Sequence, residues 1–132
     1  MKEQIYARLA GPLVFVGFGS VAQAVLPLIR RHIAVAPELI TIFTADERGH
    51  DVAGACGVAD FRVQALTPDN YERLLAPALQ HGGLLLNLSY DVSSIALIEF
   101  CHRLARSIDD GPIASSLAAA YPRGNRLLMP PE

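Results

Sequence analysis

Six residues near the amino terminus have the types and spacing to hold a pyrophosphate: Gly17-Phe18-Gly19-Ser20-Val21-Ala22, a G-x-G-x-x-A pattern. A glycine at the first position permits a tight turn. The second lets the backbone approach an anion, and a small residue at the last lets a helix pack closely on a strand. The free N–H groups of a helix start would then face the phosphates, and the helix dipole favours their charge. This assigns Gly17, Phe18, Gly19, Ser20 and Val21 to a candidate dinucleotide site. Such a site also needs a group for the adenosine ribose near the end of the second strand. Here the acids arrive late, at Asp46 and Glu47 after Phe43-Thr44-Ala45. Either Asp46 reaches round from the loop or Thr44 takes the ribose, and Asp46 serves equally well as solvated loop or helix cap. Arg48 is close enough to meet an added phosphate, so NAD and NADP both stay open. Asn87 and Ser89, in a second strand–polar turn–helix start, are placed at the nicotinamide end. No catalytic constellation and no metal-ligand spacing accompanies them; Cys101 and His102 fall on an apolar helix stripe and read as core.

The elements that position these residues are legible as hydrophobic runs. Residues 13–16 (Leu-Val-Phe-Val) form a short buried strand between Gly11-Pro12 and Gly17. A helix follows from Ser20 with an expected buried stripe of Val21, Val25, Leu28, Ile29 and His32, kinked at Pro27. Residues 39–43 and 59–65 supply second and third strands, with a short helix over 51–56 stopped by Gly57. Thr67-Pro68 predicts the next helix start, a threonine cap with proline in the first turn. Residues 84–88 give a fourth strand. Asp91, Ser93 and Ser94 are candidate caps for a last helix whose stripe is Ile95, Ile98, Cys101, His102 and Ala105. Strands alternating with helices predict an α/β, Rossmann-like, doubly wound parallel sheet, incomplete at about four strands, with the first and fourth strands adjacent at the switch point.

Composition bounds the rest. The 132 residues are 52% hydrophobic and 18% charged with a net charge of −2, which fits one packed domain and offers no basic surface for nucleic acid. Residues 9–29 carry no charge, but Gly11, Pro12, Gly17, Gly19 and Pro27 make them a poor membrane helix or signal peptide. Cys56 and Cys101 are isolated, which suits a reducing cytoplasm. The division expected is a cofactor domain over 1–106 and an irregular or disordered tail over 107–132, where neither period persists. The fourth strand, apolar on both faces with no later run to pair beside it, predicts self-association into a homo-oligomer.

The ordered set resembles bacterial homospermidine synthases. It comprises Gly11-Pro12-Leu13-Val14-Phe15-Val16-Gly17-Phe18-Gly19-Ser20, Leu26-Pro27-Leu28-Ile29-Arg30-Arg31-His32, Thr44-Ala45-Asp46-Glu47-Arg48-Gly49, Asp69-Asn70-Tyr71 and Asn87-Leu88-Ser89-Tyr90-Asp91-Val92-Ser93-Ser94. The resemblance runs from about residue 10 to 105. It implies a saccharopine dehydrogenase-like architecture and a bound NAD that oxidises putrescine to an imine. The imine loses ammonia, a second amine attacks, and the NADH formed reduces the product to homospermidine. The family is several times longer, and its polyamine-binding and catalytic residues lie beyond the matched part. In place of its next strand and an Asp-Thr-x-x-Glu-Pro-Trp-like segment stand Arg106-Ser107-Ile108-Asp109-Asp110. A truncated or frame-shifted product, inactive alone, is therefore expected. Two other readings compete: the cofactor part of another saccharopine dehydrogenase-like oxidoreductase, and a freestanding nucleotide-sensing module. The sensing module would want an acid right at the end of the second strand, where Phe43-Thr44 stand.

Overall fold

The computed structural model describes residues 4–79, 83–89 and 92–107. The expected glycine stop at Gly82, the candidate cap Asp91 and nearly all of the tail over 107–132 lie outside the described residues.

The main sheet has four strands: β2 (Leu13–Val16), β4 (Ile40–Thr44), β5 (Asp60–Val63) and β6 (Leu84–Asn87). All pair in parallel, in the order β5-β4-β2-β6. The first and fourth strands expected from the sequence are thus neighbours, with Leu13 opposite Leu84 and Val16 opposite Asn87. Two short strands, β1 (Ala7–Arg8) and β3 (Ile33–Ala34), form a separate parallel pair that the hydrophobic pattern does not announce.

Helices cover both faces. On one, α1 (Ser20–His32) and α2 (His50–Ala55) enclose Leu13, Phe15, Ile40 and Ile42 with Phe18, Ala22, Leu26, Ala53 and Val58. On the other, α3 (Tyr71–Leu79) and α4 (Ser94–Ser107) enclose Val14, Val16, Phe43 and Leu85 with Leu75, Leu79, Leu97, Phe100 and Cys101. Both faces of β2 are buried, which is why it reads as an unbroken apolar run and not as an alternation. Glu72 and Arg103 bridge α3 and α4 at 2.6 Å.

Several expected details shift. The buried face of α1 is Ala22 and Leu26, while Val21 and Leu28 are more than half exposed. Ala22 and Leu26 stand one above the other on one helix face and pack with Leu13, Phe15, Ile40 and Ile42. Pro27 sits inside α1 without ending it, leaving only the hydrogen bond its nitrogen cannot donate. Leu39 closes a 3-10 turn (Pro37–Leu39), so β4 begins one residue later than expected and runs through Thr44. The third strand is likewise shorter than the run over 59–65.

Thr67 does not cap α3. Its N–H donates to the Asn70 side chain at 2.7 Å, and its carbonyl accepts from the N–H groups of Asn70 and Tyr71. The chain makes a turn first, and Asn70, whose carbonyl accepts from Leu74, precedes the helix. In α4 the buried stripe is Leu97, Ile98, Phe100 and Cys101; Ile95 and His102 face outward. His102 is therefore a surface residue and not the core histidine expected. Ser93 is the cap, its hydroxyl accepting from Ala96 N–H at 3.2 Å.

Candidate functional site

The carboxyl ends of β2, β4, β5 and β6 open onto one crevice, as parallel doubly wound sheets dictate. It holds two adjoining depressions of about 170 and 240 Å³, sharing Gly17, Thr44, Ala45 and Ser89 as lining residues. The larger adds Gly19, Asp46 and Arg48, and the smaller adds Gln64, Ala65 and Val92.

The turn between β2 and α1 uses its two glycines differently. Gly17 has φ +87°, a left-handed conformation that side chains strain to adopt, and its N–H closes onto the Phe43 carbonyl at 2.8 Å. A Cβ there would stand 2.9 Å from Ser89 Cβ and 3.0 Å from Ser89 Cα and N. Gly17 is therefore what lets the two walls of the crevice touch. Gly19 is extended (φ −80°, ψ −160°), and a Cβ on it would meet nothing within 4 Å. It precedes α1 without any side-chain cap on the first helical N–H groups. Those orphan donors, beside open space and a positive dipole end, suit a phosphate group.

Of the other predicted residues, Ser20 and Val21 lie exposed in the first turn of α1, where their N–H groups belong to that donor set. Phe18 lines the larger depression with almost none of its side chain exposed. Its ring is buried against Phe15 and Phe61 at 5.9 and 5.8 Å, so it anchors the turn in the core. Its carbonyl is held by Gln23 Nε2 at 3.0 Å. Gly49, φ +86°, packs under the same ring and the Gln23 side chain.

On the β4 side, Thr44 is buried in the crevice wall and Asp46 stands on the rim. Arg48 donates to Asp46 three times: from its backbone N–H to Oδ1 at 2.9 Å, and from Nε and Nη2 to Oδ2 at 3.0 and 2.8 Å. The guanidinium hydrogen bond holds the Asp46 carboxyl below the usual carboxylate range.

On the β6 side the two predicted residues part company. Ser89 lines both depressions. Asn87 lines neither. Its amide donates to Ser94 Oγ at 3.1 Å and the Val92 carbonyl at 3.4 Å, and its Oδ1 accepts from Ser89 N–H at 3.2 Å. Asn87 thus shapes the turn that presents Ser89, where the sequence reading put it beside the nicotinamide. Gln64, Ala65 and Leu66 escaped the sequence reading. They follow the third strand directly, and the same switch-point reasoning applied to that strand would have found them.

Asp46 and Arg48 are the ionisable side chains lining the crevice among the described residues, and they neutralise one another. The remaining lining groups are apolar, amide or hydroxyl. The arrangement can bind and orient a dinucleotide and exclude water from it, but it offers no acid or base beside the reacting end. Among the described residues there is no cluster of three or more His, Cys, Asp or Glu side chains, and no helix long and apolar enough to cross a membrane.

Comparison with known proteins agrees with this geometry. A family model described as the saccharopine dehydrogenase NADP binding domain matches residues 13–125. Homospermidine synthase of Blastochloris viridis is 41% identical over 98 residues, covering 72% of this chain and 20% of that protein. The Mesorhizobium japonicum homospermidine synthase is 35% identical over 103 residues, covering 76% and 21%. The crystal structure of the homospermidine synthase from Legionella pneumophila in complex with NAD superposes with a TM-score of 0.68 at 35% identity, over 73% of this chain and 21% of that one. The chain thus spans about a fifth of the length of these relatives.

Proposed function

We propose that this chain, which belongs to the saccharopine dehydrogenase NADP-binding domain family, is the NAD-holding part of a homospermidine synthase-like aminobutyltransferase. The observation that carries the reading is the β2–α1 turn. Gly17 brings the Ser89 wall against it, and Gly19 leaves open space before a helix start without a side-chain cap. The Legionella relative was crystallised in complex with NAD, which supports the same cofactor here.

In this reading the first N–H groups of α1 hold the pyrophosphate, and Thr44 and Asp46 flank the adenosine ribose. Ser89, fixed by Asn87, borders the nicotinamide half. NAD, when bound, supplies reversible hydride acceptance from an amine-bearing carbon. The contribution of the chain is to fix the cofactor in place and shield one side of it from water. Putrescine and its aminobutyl group are the substrates the relatives' name supports, and transfer between two amines leaves no net redox change. The polyamine pocket and the acid–base groups belong to polypeptide outside these residues, and the expected setting is the cytoplasm.

Calorimetric titration of the purified chain with NAD tests the cofactor role. Binding by the wild type and none by Gly19→Val is expected, because a branched side chain would fill the phosphate space. Equal affinity in both would sink it. Purified chain incubated with putrescine and NAD should form no homospermidine; product above background would show that the catalytic groups are present after all.

A further inference from the structure

We propose that Gln23 is a positioning residue for the cofactor: it fixes the Phe18–Gly19 peptide so that the Gly19 N–H, and not the Phe18 carbonyl oxygen, is offered to the pyrophosphate. This role rests on the cofactor reading above and deepens it.

Gly19 suits an anion because nothing stands beside it, but the same freedom is a hazard. Glycine takes positive φ about as readily as negative φ. Turning the Phe18–Gly19 peptide over would carry φ of Gly19 from −80° into the positive range, at no steric cost to a residue without a Cβ. The peptide is trans, so its C=O and N–H point in opposite directions. One orientation gives the depression a hydrogen-bond donor. The other gives it a carbonyl oxygen, which repels a phosphate.

Gln23 holds the first orientation from two sides. Its side-chain Nε2 donates to the Phe18 carbonyl at 3.0 Å, and its backbone N–H donates to the Gly19 carbonyl at 2.9 Å. Both carbonyls flanking Gly19 are thereby turned to one residue of α1, and the N–H groups of Gly19 and Ser20 point away from it. Phe18 and Gly19 line the larger depression, whereas Gln23 does not. The Gly19 N–H has no hydrogen-bond partner among the described residues, so it is free for a ligand. The Gln23 amide is itself held. Gly49, left-handed at φ +86°, brings the loop after β4 so close that a Cβ there would stand 2.9 Å from Gln23 Cδ and Cγ, and 2.7 Å from Phe18 Cδ2. Ring and amide are packed, and the peptide between Phe18 and Gly19 is what they keep from turning.

The test compares the full chain as wild type, Gln23→Met and Gln23→Glu. Methionine keeps the length of the side chain without a donor. Glutamate keeps its shape, but a carboxylate only accepts, so it favours the reversed peptide with the Gly19 N–H turned inward. Two readouts are taken: calorimetric titration with NAD, and, without NAD, the nuclear Overhauser effect between Phe18 Hα and the Gly19 N–H proton, whose strength follows the orientation of that peptide. Gln23→Met should raise the Kd for NAD by at least about tenfold, the worth of a hydrogen bond to a charged group, and Gln23→Glu should raise it further. The Overhauser effect should differ from wild type in both. An unchanged Kd in either variant, or weaker binding with an unchanged Overhauser effect, overturns the positioning role. Urea unfolding without NAD shows whether each variant folds, and loss of folding in both would make Gln23 a core residue and overturn the role as well. Absence of NAD binding by the wild type overturns the cofactor reading instead, while the Overhauser effect still reports whether Gln23 sets the peptide.

Discussion

Gly17 and Gly19 belong to one six-residue motif, yet substituting each with alanine should give opposite phenotypes. At Gly17 the backbone is left-handed, which costs a residue with a Cβ roughly 1–2 kcal/mol. The new methyl would also overlap three Ser89 atoms at 2.9–3.0 Å, and two of these are backbone. Relieving that contact means moving the β6–α4 turn, an overpacking cost of about 1–3 kcal/mol. Gly17→Ala is thus expected to lose about 2–5 kcal/mol of folding free energy, a lowering of Tm by at least about 8 °C for a domain of this size. At Gly19 the backbone is extended and the methyl meets nothing, so only the small helix-cap preference for glycine is lost, under about 1 kcal/mol. Gly19→Ala should instead forfeit the stabilisation that NAD confers, which for the wild type is about 2.7 kcal/mol at a hundredfold excess over Kd. Urea unfolding with and without NAD measures both quantities on each protein. Equal destabilisation by the two substitutions without cofactor, or full NAD stabilisation of Gly19→Ala, would refute the division of labour.

Other expectations follow from the packing. Burial pushes the Cys101 thiol up to about 12, from an ordinary 9.0. In the folded protein a thiol reagent at pH 8 should therefore modify only the partly exposed Cys56, with Cys101 reacting after denaturant is added. The same shift sets a sign: the folded chain keeps that proton where the unfolded chain releases it, so stability should fall as pH climbs from about 9 toward 12 in urea titrations at stepped pH. Leu26→Ala empties a fully buried site between α1 and the sheet and should cost about 2–5 kcal/mol by chemical denaturation, whereas Leu28→Ala, on the exposed face, should stay within about 0.5. Asn87→Ala removes three hydrogen bonds that hold the Ser89 turn and should cost about 1–3 kcal/mol and weaken NAD binding; Asn87→Asp, which retains the acceptor for Ser89 N–H, should recover part of both in the same titrations.

Much of the fold could be read because strands buried on both faces, bounded by glycine turns, leave strong local signals. The run at 13–16 and the glycines after it located both the central strand and the glycine turn that lines the crevice. What escaped was set by distances between elements. Val21 and Leu28 share one helical face by spacing with Val25, Ile29 and His32, yet the face that packs on the sheet is that of Ala22 and Leu26. In α4, likewise, Ile95 lies outside and Leu97 inside. Asn87 has an amide suited equally to a ligand and to its own turn, and only the positions of Val92 and Ser94 decide between them. The β1–β3 pair is two residues long on each side, too short to show a period. Asp46 was found, but its engagement with Arg48 depends on a loop conformation that spacing does not encode.

The placement of β2 in the middle of the sheet bears on how the chain folds as it leaves the ribosome. One edge of β2 can pair once Ile40–Thr44 has been made, but the other waits for Leu84–Asn87. Closing so long a loop is an entropic hurdle that local helices do not face, and it slows folding. Until then Leu13 and Phe15 have a bare flank, and Gly17 has no Ser89 to touch. The glycine turn is the earliest part of the crevice to be translated and among the last to be completed, because its second wall waits for Leu84–Asn87 and the Ser89 that follows. During synthesis, the interval between those two events is when the nascent chain is most open to chaperones and to wrong partners.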